Sequence, residues 1–191
     1  MAGGNYFIKA HYLSPMGKLY ATFEATTNRY IQALDNYTMD ELLRVPPDGG
    51  WTLGQVYIHM ATANKYFLGK NAEACALGDN VVTDGKGKTK WGWFVFAFKM
   101  FPPFKVKMPK KQTGGTEPIQ PESKEQIVRK LQENLELFKR IEEQVANAPK
   151  NNRKKYPFLG NLNAAEWYQI AGFHMKHHFR QKKKLDAFLG K

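Results

Sequence analysis

The segment NAAEWYQIAGFHMKHHFRQKKKLDAFLG, residues 163–190, has the pattern of one long amphipathic helix with its own start and stop signals. Asn163, followed three residues later by Glu166, is typical of a capping box, and Gly190 is typical of a helix C-terminus. The face expected to point inward is apolar at both ends and polar in its middle. Its members are Trp167, Ile170, Ala171, His174, His178, Gln181 and Leu185. This pattern places polar chemistry inside an otherwise apolar core.

Two histidines in the middle of this helix have a spacing that suits metal binding. His174 and His178 are four residues apart, so they lie one turn apart on the same face, where two imidazoles can bind one ion. His177 lies about 100° around the helix from His178 and would replace one of the pair only if the helix were rotated. A single H-x-x-x-H also occurs by chance in basic helices, so a structural role stays open on this pattern alone.

A third histidine is predicted from the stretch WTLGQVYIHM, residues 51–60. Thr52 and Gln55 have the spacing of a capping box, which predicts a helix from Thr52 to Leu77. The inward face of that helix is Val56, His59, Ala63, Tyr66 and Phe67. His59 would then either complete a three-histidine site or be a core histidine that is hydrogen-bonded to a neighbour.

Two further helices complete an all-α prediction. One covers roughly residues 15–35 after Ser14, and the other begins after Ser123 and ends near Pro149. Four helices with no alternating strand pattern between them predict a four-helix bundle, and the basic segment at 151–160 is interpreted as a loop. The connection at 79–120 is much longer than bundle loops usually are, so it could recross the bundle and give an up-down-down-up order.

The overall composition is that of one globular domain. The chain has 191 residues, 42% of them hydrophobic and 14% aromatic, and we expect a single domain over 1–191 with an insertion at about 79–120. The single cysteine, Cys75, excludes an intrachain disulfide framework, so a reducing cytoplasm is the expected location. No stretch approaches the roughly 18 apolar residues of a membrane span.

The charge of the chain is unusual. Lys and Arg number 29 against 17 Asp and Glu, which gives a net charge of +12 and suggests a nucleic-acid, membrane or anionic-ligand partner. The basic runs are scattered and no recognised reading element accompanies them, so nucleic-acid binding is the less favoured alternative. The aromatic, lysine-rich segment from Trp91 to Lys111 is predicted to be a lid or to pack against the bundle. A dimer contact and a membrane-surface anchor are its alternatives.

The motifs resemble those of a known family. The W-T-x-x-x-V-x-x-H pattern at Trp51 to His59 and the H-x-x-H-H-x-R-Q pattern at His174 to Gln181 are similar to those of the DinB-like superfamily of four-helix bundles. That superfamily includes YfiT-like metal-dependent hydrolases and bacillithiol or mycothiol S-transferases. The run from Pro157 to Trp167 resembles a branch of unknown function, although Asn163 replaces the commoner Thr.

This resemblance covers roughly residues 14–189 and implies a site as well as a fold. A divalent ion, often zinc or nickel, would be held near one mouth of an up-down-down-up bundle by His59, His174 and His178. Bundles of this superfamily often dimerise, so a homodimer is a possible assembly.

A three-histidine site would leave a coordination position open, as in catalytic metal sites. A bound water would be acidified toward a pKa of about 7, or a substrate thiol would bind as the thiolate. The first supports hydrolysis of a small molecule and the second supports transfer of a low-molecular-weight thiol, and both stay open. Gln55 and Gln181 are candidates to orient the imidazoles, and Arg180 is a candidate to hold an anionic substrate group.

Each candidate role has an alternative. Gln55 could serve only as a helix cap, and Arg180 could lie on a solvated face. The whole site could belong to a metal-binding, stress-associated protein without turnover, in which case we expect a sealed cluster instead of one open to solvent. Anion or nucleic-acid binding is the third alternative, and it predicts an affinity that falls steeply with salt and survives His59→Ala.

Overall fold

The computed structural model describes residues 15–47, 49–102 and 117–191, and within these ranges it is mainly helical, as predicted. The helices are α1 (Pro15–Ala33, followed by a 3-10 turn at Leu34–Asn36), α2 (Met39–Leu43), α3 (Leu53–Ala63), α4 (Lys70–Leu77), α5 (Lys90–Phe98), α6 (Lys124–Ala146) and α7 (Ala164–Leu189). A π-helical segment, Asn64–Gly69, joins α3 to α4. Among the described helices, none is both long and apolar enough to cross a membrane.

The predicted capping boxes set where the two histidine-bearing helices begin. The Thr52 hydroxyl accepts from the Gln55 backbone N–H at 3.1 Å, and the Gln55 side chain accepts from the Thr52 N–H at 3.0 Å. Asn163 and Glu166 exchange the same two bonds at 3.0 and 2.9 Å. These bonds satisfy N–H groups that the first helical turn leaves without partners. They confirm the predicted starts of α3 and α7, whereas the predicted cap of α1, Ser14, lies outside the described residues.

Side-chain contacts give the relative directions of the long helices. Asn134 on α6 donates to the Ala61 carbonyl at 3.1 Å, and Arg140 donates to Glu73 at 3.1 Å, so residue numbers rise together along α6 and along the α3–α4 segment. Cys75, near the end of α4, lies against Leu162, just before α7. Since His59 near the start of α3 meets α7 farther along, α7 runs opposite to α3 and α4.

The core is formed by the inward faces of these helices. On α7, Trp167, Ile170 and Ala171 are fully buried, which confirms the apolar end of the predicted face. Trp167 packs against Phe67 and Tyr156, with ring centroids 5.2 Å apart in both cases. The apolar part of the α7 face therefore lies directly beside the polar part that carries the histidines.

One residue of the inward face predicted for the helix from Thr52 to Leu77 points outward. Tyr66 is 55% exposed, and the ammonium groups of Lys65 and Lys70 lie 5.3 and 5.4 Å from its ring centroid. The prediction assumed a regular α-helix, but Tyr66 falls in the π-helical segment at Asn64–Gly69. A π-helix has a wider turn than an α-helix, so the faces defined before residue 64 do not continue unchanged after it.

The segment interpreted as a basic loop forms a β-hairpin instead. Strand β1, Arg153–Tyr156, pairs antiparallel with β2, Gly160–Asn163, and isolated bridges join Val82 to Arg153 and Lys88 to Gly160. The two strands of the hairpin are only four residues long, and some of their pairing partners lie in the distant insertion. The sequence of the hairpin therefore shows no alternation of apolar and polar residues that would predict strands. The insertion at 79–120 also contains α5, and its residues 103–116 lie outside the described ranges.

Candidate metal centre

Three imidazoles from α3 and α7 converge at one point. The Nε2 atom of His174 lies 3.2 Å from Nε2 of His59 and 3.1 Å from Nε2 of His178. One ring nitrogen from each of the three residues lies within 4.8 Å of the others, close enough to bind a single metal ion. The histidines that the sequence places on inward faces of two separate helices therefore come together in the structure.

Local structure sets the orientation of each ring. His174 and His178 are one turn apart on α7, with ring centroids 4.6 Å apart. His59 lies in the second turn of α3, so its position follows from the cap at Thr52. The indole of Trp51, just before that cap, packs against the His59 ring with centroids 4.7 Å apart. Trp51 thus covers part of the His59 ring.

Two amides fix the other nitrogen of two rings. Nδ1 of His174 lies 3.2 Å from Oδ1 of Asn64, and Nδ1 of His178 lies 2.9 Å from Oε1 of Gln181. An amide oxygen can only accept, so each Nδ1 carries the proton and each Nε2 presents its lone pair to the cluster. Two lone pairs that face each other at 3.1 Å repel unless a cation or a proton lies between them.

Burial keeps the imidazoles neutral. It lowers the pKa of His59 to about 4, with the neighbouring charge of His177 adding to the effect. It lowers the pKa of His178 to about 3, with His59 as the next contribution, and the pKa of His174 lies well below its usual value because of burial and then His178. A metal ligand must be unprotonated, so at neutral pH the three rings are in the state that binds an ion.

Other residues considered from the sequence are placed differently. Of the two predicted orienting amides, Gln181 contacts His178, whereas Gln55 caps α3 and donates its side-chain amide to the Pro118 carbonyl at 2.8 Å. Arg180 is exposed on α7. His177 is not one of the three converging residues, and its ring lies between Phe101 and His178, with centroids 5.8 and 5.4 Å away.

Sequence reasoning missed Asn64. This residue is fully buried and bonds His174 from the first position of the π-helical segment. In a regular α-helix a residue five positions after His59 lies about 140° away from it, which excluded Asn64 from the predicted face. The only signal in the sequence is that Asn64, an amide residue, directly follows Ala63 of the predicted inward face.

Comparison with known families gives one match that covers most of the chain. Residues 22–181 match the family model of the DinB superfamily. The matched range includes all three histidines and both amides that contact them, Asn64 and Gln181. Comparisons with curated proteins and with solved structures give no match.

Proposed function

Because the chain belongs to the DinB superfamily, we propose that it is a metal-dependent enzyme that holds one divalent ion on Nε2 of His59, His174 and His178. The separations of 3.1 and 3.2 Å between these nitrogens carry the proposal. Two imidazole nitrogens that are each about 2.0–2.1 Å from one zinc ion are themselves about 3.0–3.4 Å apart, depending on the angle between them. The two separations from His174 fit that requirement, and one ring nitrogen of each of the three histidines lies within 4.8 Å of the others.

The donor set favours zinc or nickel. All three proposed ligands are imidazoles, and among the residues that the structure describes no carboxylate joins the cluster. Imidazole suits zinc, copper, iron and nickel, whereas magnesium and calcium prefer oxygen ligands. Together with the resemblance of the motifs, this makes zinc or nickel the proposed ion.

We also propose that the four long helical segments form a single up-down-down-up bundle. The parallel relation of α6 to the α3–α4 segment and the antiparallel relation of α7 support this order. Tyr30 on α1 donates to the Met175 carbonyl at 3.0 Å, and Phe23, nearer the start of α1, stacks on Phe138 of α6, which Tyr168 of α7 also contacts. Residue numbers therefore rise together along α1 and α7.

The residues around the cluster have separate proposed roles. Asn64 and Gln181 hold the rings of His174 and His178 so that Nε2 faces the centre. Trp51 excludes water from one side of His59. Arg180, which is exposed on α7, is a candidate to bind a carboxylate or phosphate of the substrate.

The proposed chemistry is hydrolysis or thiol transfer on a small molecule. When bound, the ion acts as a Lewis acid that makes a water or a thiol nucleophilic at neutral pH. His178 is only 6% exposed, and His59 and His174 are mostly buried but keep some exposed surface, which supports access of a substrate to the cluster over a sealed structural site. A low-molecular-weight thiol is the proposed co-substrate for the transfer reaction.

Metal reconstitution tests this proposal. Protein purified without a histidine tag is stripped with a chelator, and zinc or nickel is added back. We expect one ion per chain. We also expect the loaded protein, but not the stripped one, to turn over an ester or amide, or to join a thiol to an electrophile. Stoichiometric metal without turnover of any of these substrates would favour the non-catalytic alternative, and the absence of metal binding would refute the site.

Loss of the Asn64 amide should weaken metal binding without removing a ligand. In Asn64→Leu the Nδ1–H of His174 loses its acceptor, so the ring is no longer fixed, and we expect metal affinity to fall by about 10–100-fold. A competition titration with a chromophoric chelator measures this change. Asn64→Asp keeps an acceptor oxygen and serves as the matched control, and it should retain most of the affinity. Equal affinities of Asn64→Leu and the wild type would show that Asn64 has no orienting role.

A further inference from the structure

The outer face of α5 consists of large aromatic side chains. Trp91, Trp93, Phe94 and Phe98 are 52%, 64%, 41% and 62% exposed. We call these four residues the aromatic face. Most isolated exposed apolar residues need no explanation, but four on one helix of nine residues, about 13 Å long, form a contiguous patch.

The opposite side of α5 fixes this helix to the rest of the protein. The Thr89 N–H donates to the Leu159 carbonyl at 2.8 Å, and Val95 is fully buried. A Cβ atom on Gly92 would lie 2.3 Å from the Leu159 carbonyl oxygen, so the backbone of α5 approaches the hairpin as closely as glycine allows. Lys88, just before α5, pairs with Glu166 in the first turn of α7. The aromatic face is therefore outward because the other side of α5 is already packed.

Positive charge surrounds the aromatic face. Lys86, Lys90 and Lys99 are exposed at or near the two ends of α5. The described residues 85–102 contain four lysines and no aspartate or glutamate, and the whole chain carries a net charge of +12. The partner of this surface should thus be apolar where it meets the rings and negative around them.

We propose that the aromatic face docks onto an anionic lipid bilayer, with α5 lying in the plane of the interface. Tryptophan and phenylalanine are favoured at the level of the lipid headgroups and upper acyl chains, and lysines beside them are attracted to anionic lipids. A second copy of this chain is a less suitable occupant, because two such faces would bring the same lysines together without a compensating charge.

Vesicle co-sedimentation tests this proposal with the metal-loaded or metal-free full chain. We expect the protein to pellet with vesicles of equal parts phosphatidylglycerol and phosphatidylcholine, and to remain in the supernatant with pure phosphatidylcholine. Added salt should weaken the binding. The double variant Phe94→Ser/Phe98→Ser should partition at least about tenfold less, because two rings no longer enter the bilayer. Lys90→Glu/Lys99→Glu should reduce binding by a similar factor.

The matched control is Tyr66→Ser. Tyr66 is 55% exposed and also lies beside two lysines, but it is on the segment that joins α3 to α4 and not on α5. Its replacement should leave vesicle binding unchanged, and circular dichroism should show that every variant keeps its helical content. Equal binding to neutral vesicles, equal loss in the control, or no binding to anionic vesicles would overturn the proposal. Sedimentation that shows a dimer abolished by Phe94→Ser/Phe98→Ser, together with no vesicle binding, would instead assign this face to a second copy.

Discussion

The His174→Ala variant is expected to lose its metal ion. His174 is the central member of the cluster, since its Nε2 lies 3.2 Å from that of His59 and 3.1 Å from that of His178. The change removes one of three proposed ligands and also leaves the amide of Asn64 without its partner. Removal of an orienting group typically costs about 10–100-fold in affinity, so the loss of a ligand should exceed about a hundredfold.

Elemental analysis of untagged protein and a competition titration would measure this loss. His177→Ala is a matched control, because it removes the same type of side chain from the same helix without removing any of the three converging histidines. It should bind as much metal as the wild type. Equal metal content in His174→Ala and the wild type would contradict the assignment of the ligands, and a loss of metal in His177→Ala alone would place the site on the other side of α7.

The metal-free protein is expected to lose stability in mild acid. The pKa values of His59 and His178 are about 4 and about 3 in the folded state, whereas an imidazole in the unfolded chain has a pKa of about 6.5. Between these values the unfolded chain binds protons that the folded chain cannot accept, so the free energy of unfolding falls as the pH decreases from about 6.5 to about 4. Stability from this source is fully present above about pH 6.5.

The size of this effect should be a few kcal/mol. One pKa unit corresponds to about 1.4 kcal/mol, but the imidazoles share one buried site and do not titrate independently, so roughly 3–5 kcal/mol is expected for the cluster. Denaturant titrations of the stripped protein at a series of pH values measure it. Saturating zinc should raise the stability and move the loss to lower pH, because the ion competes with protons for the same nitrogens. A free energy of unfolding that does not change between pH 6.5 and 4.5 would contradict the burial of neutral imidazoles.

Local signals in the sequence were sufficient to predict where the two histidine-bearing helices begin. The capping pairs at Thr52 and Asn163 depend only on residues three positions apart, and both form the predicted bonds. Helix geometry alone also predicts that His174 and His178, four residues apart, lie on the same face of α7. These features were predictable because each depends on interactions within one turn of the chain.

The surroundings of the cluster were less predictable. The outward position of Tyr66 and the bond from Asn64 to His174 both depend on a π-helical segment at Asn64–Gly69. A distant helix also contacts the chain just before this segment, since the side-chain amide of Asn134 on α6 donates to the Ala61 carbonyl. The pairing of the hairpin with Val82 and Lys88 likewise depends on residues far apart in the chain.

The sequence by itself determined that three imidazoles belong on inward faces of two capped helices, because caps and helical periodicity act over a few residues. Only the tertiary structure decided that the Nε2 atoms of His59 and His178 lie 3.2 and 3.1 Å from that of His174, that Asn64 instead of Gln55 contacts a ring of the cluster, and that four aromatic side chains of α5 remain exposed. Those outcomes depend on how one helix packs against another, and packing between distant segments leaves no periodic pattern in either of them.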